Sequence, residues 1–255
     1  MAAMIWRRRY GYVTGSCRTA SGGDIPYPDG MADTRACLVD VYDTIVSCDF
    51  LARRTELATM AGVATQAWRE IYLRLENMLN MGRLTKAEGF ELIMRECGVD
   101  PRPDLVRALV NKDREVMFAT TRLYDDVLPF LDTLRSRGVK IAIVSNCTEY
   151  TRELLVDFGV AARADALVLS CEVGAAKPTA QIFRHALDQL DVTAGAALFV
   201  DDQAAYCAGA AALGITTVRI VRGELDGIDG VDGTVPTAGM TVVRSLPEVE
   251  TLLWA

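Results

Sequence analysis

The feature that most constrains this chain is a series of short apolar runs, each closing on a polar or charged residue. Residues 139–144 run into Ser145 and Asn146, residues 166–169 into a loop that carries Lys177, and residues 196–200 into Asp201 and Asp202. Runs of this kind read as strands buried on both faces of a parallel sheet. Helical periodicity fills the intervals, over 127–137, 149–158, 179–190 and the small-residue stretch 204–213. A strand over 216–221, a Gly- and Asp-rich loop over 223–239, a short edge strand at 242–243 and a helix over 246–253 complete the pattern. Strands alternating with helices at this spacing imply right-handed crossovers and an α/β fold with helices on both faces.

An earlier run, residues 36–39, delivers Asp40 to its end. Open α/β sheets place their ligands at the carboxyl ends of the strands. Taken alone, Asp40 serves equally well as the cap of a turn. Ser145, Asn146, Asp201 and Asp202 have the same bland reading as helix caps, and Lys177 that of a solvated loop charge. Together they bring a carboxylate, a hydroxyl, an amide, an ammonium and an acidic pair to one edge of one sheet. Phosphoryl transfer needs that set: donors and a cation to hold an anion, and carboxylates to hold a hard metal ion.

Between Thr44 and the second strand the pattern is helical, with no strand expected. Leu51, Leu57, Met60 and Ala61, then Trp68, Ile71, Tyr72, Leu75 and Met78, recur at three- and four-residue steps. Trp68, Tyr72 and Met78 read as core of this region. Thr85 and Glu88 form a capping-box pattern ahead of Phe90, Ile93 and Met94, and a further helix covers 105–117. The expected organisation is therefore a core of residues 31–48 and 126–255, interrupted by a helical cap over 49–125. Residues 1–30 are expected to be disordered or foreign to the native start, because Met31 opens Met-Ala-Asp-Thr-Arg just before the first strand.

Composition excludes several classes. With 255 residues and 51% hydrophobic content, the chain can bury one large core or a core plus a smaller domain. A net charge of −7 argues against nucleic acid and anionic membranes as partners. No apolar stretch follows Arg7, Arg8 and Arg9, so neither a secretory signal nor a membrane span is expected. The seven cysteines (Cys17, Cys37, Cys48, Cys97, Cys147, Cys171, Cys207) show no CxxC pair and read as reduced, mostly buried residues of a cytoplasmic protein.

The ordered set Asp40-x-x-x-Thr44, Ser145-Asn146, Lys177-Pro178 and Asp201-Asp202 resembles the four motifs of the haloacid dehalogenase superfamily of hydrolases, over residues 34–255. Gly174-Ala-Ala-Lys177-Pro178 and Phe199-Val-Asp201-Asp202 are especially close to its third and fourth motifs. The resemblance implies a Rossmann-like parallel sheet of strand order 5-4-1-2-3 with an inserted helical cap. It also implies a nucleophilic role for Asp40, through a covalent aspartyl intermediate. Ser145 and Asn146 would contact the transferred group, and Lys177 would neutralise nucleophile and substrate. Asp201, Asp202, Asp40 and the backbone carbonyl of Tyr42 would hold Mg²⁺. Thr44, Ser145 and Asn146, with Arg53 and Arg54 from the cap, would bind substrate. The partner expected is a small, anionic molecule, acted on by a monomer or homodimer.

Two positions depart from the pattern. Tyr42 stands where phosphatases of the superfamily carry the acid that protonates the leaving group, and Asp43 stands where they carry glycine. A tyrosine there is similar to the metal-independent 2-haloacid dehalogenases, which have small polar residues in place of Asp201 and Asp202. Two carboxylates beside Asp40, however, need a cation between them. Three readings follow: an Mg²⁺-dependent phosphatase or phosphotransferase for substrates with a good leaving group, a dehalogenase-type hydrolase, and a degenerate non-catalytic protein. His185 reads as a helix-surface residue, Lys86 and Lys112 as surface charges, and Arg53 and Arg54 equally as a solvated helix face.

Overall fold

The computed structural model describes residues 34–222 and 239–254. The expectations for residues 1–30, Met31, Cys17 and almost all of the 223–239 loop lie outside them. In chain order the elements are β1 (Ala36–Val39), β2 (Val46–Ser47), α1 (Phe50–Ala61), α2 (Thr65–Asn80), α3 (Lys86–Glu96), α4 (Pro103–Thr120) and β3 (Arg122–Leu123). There follow α5 (Val127–Ser136), β4 (Lys140–Ser145), α6 (Thr151–Asp157), β5 (Ala166–Leu169), α7 (Ser170–Val173) and α8 (Ala180–Leu190). The chain closes through β6 (Ala197–Asp201), α9 (Ala204–Ala211), β7 (Thr216–Ile220), β8 (Thr241–Val243) and α10 (Leu246–Trp254).

The central sheet has the order β5-β4-β1-β6-β7-β8, with every pairing parallel. Read from β7 to β5, this is the expected five-strand order; β8 adds a sixth strand at the β7 edge, so the full order differs there. Two-residue alternation sorts each central strand between two cores. Cys37, Val39, Ile141, Ile143, Leu198 and Val200 enter one cluster with α5 and α10. Ala36, Leu38, Ala142, Val144, Ala197 and Phe199 enter the other with α8. The continuous apolar runs in the sequence follow from this two-sided burial.

Helices α1–α4 pack around a separate cluster that includes Leu57, Trp68, Leu75, Phe90, Ile93 and Leu109. The expected capping box is present: the Thr85 side chain accepts from the Glu88 backbone N–H, and the Glu88 carboxylate accepts from that of Thr85 at 2.8 Å. Asp49 caps α1 by accepting the Ala52 N–H at 2.8 Å, and Gly62 ends that helix in the left-handed conformation.

Several expectations need correction. The cap region is not purely helical: β2 and β3 pair antiparallel where the chain leaves and re-enters the core, too short for periodicity to register. The 170–177 loop contains the one-turn helix α7. Leu51, Met60 and Met78 are exposed, whereas Trp68 is buried and Tyr72 packs against the cap core. Lys86 is no surface charge; it is 1% exposed. Lys112 does lie at the surface, paired with Glu115 at 2.7 Å. His185 is half-buried on α8. The six described cysteines are free, three of them buried.

The small residues of α9 have a packing reason. Gly209 lies against Pro178, and a side-chain carbon at that position would sit 2.5 Å from the Pro178 carbonyl oxygen. The helix is thereby pressed onto the segment that carries Lys177. Gly209→Ala should lower stability by about 1–3 kcal/mol, read as a fall in the thermal unfolding midpoint. An unchanged midpoint would refute the close approach.

Candidate active site

Strand β1 lies between β4 and β6, and the chain runs outward from it first to β4 and β5, then to β6 and β7. The carboxyl ends of β1, β4 and β6 therefore surround a topological switch point, where open α/β sheets form their binding crevices. Asp40 follows β1, Ser145 ends β4, and Asp201 and Asp202 lie at the end of β6. Lys177 reaches the same point from the segment before α8. Its Nζ donates to Asp40 Oδ1 at 2.5 Å and to Asp201 Oδ2 at 2.6 Å.

Asp40, Asp201 and Asp202 are buried, and one carboxylate oxygen from each falls within 4.8 Å of the others. Three carboxylates face one ammonium. Burial, then repulsion by Asp201 and Asp40, pushes the Asp202 carboxyl up to about 9. Burial likewise pushes Asp201 up to about 7 against the pull of Lys177. When all three are ionised, they exceed the ammonium by two negative charges, which matches a divalent cation, and hard oxygen donors suit such an ion. This acidic triad is thus able to bind a metal ion.

Two hydroxyls at the strand ends have no partner among the described residues. Ser145 Oγ and Thr44 Oγ1 are buried and form no hydrogen bond with them. Buried hydroxyls are ordinarily satisfied, and each is free to donate to a bound anion. Asn146 is placed differently. Its Nδ2 donates to the Lys177 carbonyl at 2.9 Å and its Oδ1 accepts from the Lys177 N–H at 2.7 Å, which ties the Lys177 segment to the end of β4.

The turn after Asp40 is tight. The N–H groups of Ile45 and Val46 both donate to the Val41 carbonyl, at 2.8 and 2.9 Å. Asp43 sits in it with φ of 57°, a left-handed conformation that glycine adopts freely and aspartate tolerates. Burial and the neighbouring Asp40 push the Asp43 carboxyl up to about 6. The Tyr42 hydroxyl is 2.9 Å from Thr151 Oγ1, and burial holds its pKa far above the ordinary phenol value. Arg53 is buried against Asp113 on α4, so the solvated-face reading fails for it; Arg54 is half-exposed.

Several residues of the site escape sequence reasoning. The Tyr206 ring lies 4.9 Å from Lys177 Nζ and its hydroxyl accepts from Asn146 Nδ2 at 3.3 Å. Arg219 Nε donates to the Asp202 carbonyl, and Arg222 Nε to the Thr44 carbonyl, at 2.8 and 2.9 Å. Tyr206 lies four residues after Asp202, so helical spacing could have flagged it. Nothing local marks Arg219 or Arg222.

Residues 34–214 match the family model of haloacid dehalogenase-like hydrolases. The chain is 34% identical over 198 residues to a glyceraldehyde 3-phosphate phosphatase from Methanopyrus kandleri, covering 74% of this chain and 85% of the relative. It is 27% identical over 201 residues to an (S)-2-haloacid dehalogenase from a Pseudomonas species, covering 75% and 86% respectively. Among solved structures, a HAD-hydrolase from Bacillus subtilis bound to magnesium aligns with a TM-score of 0.60 at 22% identity, over 87% of this chain and 99% of that one. No helix among the described residues is long and apolar enough to cross a membrane. The matched motifs, the sheet order around β1 and the residues gathered at its end agree: the chain belongs to the haloacid dehalogenase-like hydrolases.

Proposed function

We propose that the protein is an Mg²⁺-dependent phosphatase that uses Asp40 as nucleophile on a small phosphorylated metabolite with a good leaving group. The observation that carries this reading is the buried pair Asp201 and Asp202 beside Asp40, with only Lys177 contributing positive charge to the triad among the described hydrogen bonds. Asp40, Asp201, Asp202 and the Tyr42 backbone carbonyl would hold the ion. When bound, it supplies charge neutralisation at the phosphoryl oxygens.

The chain's own groups define the rest. Asp40 attacks phosphorus through one carboxylate oxygen, the bond to the leaving oxygen breaks, and water then hydrolyses the aspartyl phosphate. Lys177 orients Asp40 and offsets its charge. Ser145 Oγ and Thr44 Oγ1, both unpartnered, donate to the phosphoryl oxygens. Tyr42 keeps its proton and shares a hydrogen bond with Thr151, so it does not act as an acid near neutral pH. Asp43 is a partial substitute, since its raised pKa leaves it protonated in a fraction of molecules. An acyl phosphate, whose leaving group needs little protonation, suits this arrangement better than an alkyl ester. The similarity to a phosphatase over most of the chain supports the same reading.

A second reading rests on Tyr42 and the similarity to a haloacid dehalogenase. There Asp40 would attack carbon and expel halide. Halide release from 2-chloropropionate that persists in EDTA would establish it and remove the phosphatase reading.

Acetyl phosphate should be hydrolysed in Mg²⁺, and EDTA, Asp40→Asn or Asp202→Asn should each abolish the phosphate released. Tyr42→Asp restores an acid two residues after the nucleophile. It should raise turnover of an alkyl phosphate relative to acetyl phosphate, by up to about 10²–10⁴-fold; an unchanged ratio would mean that the acid is not what is missing.

The pH dependence follows from the raised Asp201 and Asp202. The folded protein holds these protons more tightly than the unfolded chain, so their stabilising contribution is complete below the ordinary carboxylate range. It is lost as pH rises through about 7 and about 9. Mg²⁺, which binds the ionised carboxylates, should therefore raise the melting temperature more at about pH 8.5 than at about pH 6. An equal shift at both would show that the triad is not the binding group.

A further inference from the structure

The cap contains a second charge cluster, apart from the residues around Asp40. Arg53 on α1, Lys86 at the start of α3 and Asp113 on α4 meet inside it. Arg53 Nε lies 2.5 Å from Asp113 Oδ1, and Lys86 Nζ lies 2.7 Å from Asp113 Oδ2. All three are buried, at 8%, 1% and 0% exposure. Burial opposes ionisation of Asp113, yet Arg53 and Lys86 hold its carboxyl below the usual range. Two cations share one carboxylate. Glu76, within the electrostatic reach of Arg54 and Arg53, and Glu149, which accepts the Lys86 backbone N–H, lie in the same surroundings.

One donor of the cluster is left over. Arg53 Nη2 is buried and has no hydrogen-bond partner among the described residues. An unsatisfied buried donor on a charged group is costly, and native proteins rarely leave one without a reason. Its position suggests the reason. Tyr42 and Tyr72 both lie within the electrostatic reach of Arg53. Tyr42 is two residues from Asp40, and its ring packs on Phe50 of the same helix as Arg53, with centroids 5.5 Å apart. The Lys86 backbone N–H donates to Glu149 at 3.1 Å, and Lys86 Nζ stands 5.5 Å from the Tyr150 ring centroid. The cluster is therefore seated on the loop that follows Ser145, at the seam between the cap and the Asp40 turn.

Resting on the phosphatase reading, we infer that Arg53 receives a carboxylate on the same small molecule whose phosphoryl group meets Asp40. The substrate class is then a phosphorylated carboxylic acid small enough for a buried seam. The guanidinium suits this role because Asp113 engages its Nε and so fixes its plane, while Nη2 remains to bind a carboxylate oxygen. The ligand carboxylate would satisfy the orphaned donor.

The test compares phosphonoacetate, which carries a phosphonate and a carboxylate, with methylphosphonate, which lacks the carboxylate. Their affinities are measured by isothermal titration calorimetry in Mg²⁺. The wild-type protein should bind phosphonoacetate about ten- to a hundredfold more tightly, as expected for one charge-assisted hydrogen bond. In Arg53→Gln that ratio should collapse towards one, and Arg53→Lys should keep part of it. Arg53→Gln leaves Lys86 and Asp113 as a balanced pair, so no buried charge is stranded. Equal affinities in the wild type, or a ratio that survives in Arg53→Gln, would overturn the inference and leave the phosphoryl site intact. If neither compound binds, the phosphatase reading fails and this inference with it. Should Arg53→Gln fail to fold, Arg53→Lys takes its place, and a ratio unchanged from the wild type would overturn the inference.

Discussion

The contact on which the site depends is the one Lys177 makes with two carboxylates at once. Its ammonium, 1% exposed in its side chain, bridges Asp40 after β1 and Asp201 at the end of β6. Without it, buried carboxylates would face each other in a medium of low dielectric, where like charges raise each other's pKa by several units. Removing one partner from a buried ionic cluster costs roughly 3–5 kcal/mol, because the remaining charge is stranded. Much of the surrounding structure serves to keep this ammonium in place. Asn146 binds both backbone groups of Lys177, Gly209 lets α9 press against Pro178, and the Tyr206 ring lies beside Nζ.

The same electrostatic problem appears in the cap with the opposite sign. At the strand ends three carboxylates meet one cation, and in the cap two cations meet one carboxylate. The first lacks a matching counter-charge among the described residues, and the second keeps a donor without a described partner. A bound cation would complete the first and a bound anion the second, which are the two halves of a metal-dependent reaction on a charged metabolite. The cap also touches the core through polar contacts that cost little to break: Tyr150 to the Val110 carbonyl at 3.4 Å, and the exposed pair Arg114 and Glu153. Where Gly82 meets the Cys171 carbonyl, any side chain would collide.

The main outline was legible because burial on two faces leaves a continuous apolar run, and the residue ending each run is displayed at one edge. Asp40, Ser145, Asp201 and Asp202 were found in that way. The three cap charges were legible in principle as well. Arg53 recurs with Leu57 and Ala61, Lys86 with Phe90 and Ile93, and Asp113 with Leu109 and Val116, each at the spacing of a buried helical stripe. That stripe is why Lys86 is buried and not a surface charge. A charged residue on an apolar face has a partner, and the sequence does not name it. The β2–β3 ribbon escaped for another reason: two residues per strand carry no period.

The sequence by itself determined the alternation of elements, the order of the four motifs and the types of residue that reach the sheet edge, since these depend only on local periodicity and on where each run stops. Tertiary structure alone decided the pairings. That Asn146 holds Lys177, that Tyr42 turns its hydroxyl to Thr151, that Arg219 and Arg222 grip the backbone of Asp202 and Thr44, and that Arg53 keeps a donor free are contacts between residues far apart in the chain. Hydrogen bonds and ion pairs act over a few ångströms, so only the folded arrangement specifies them.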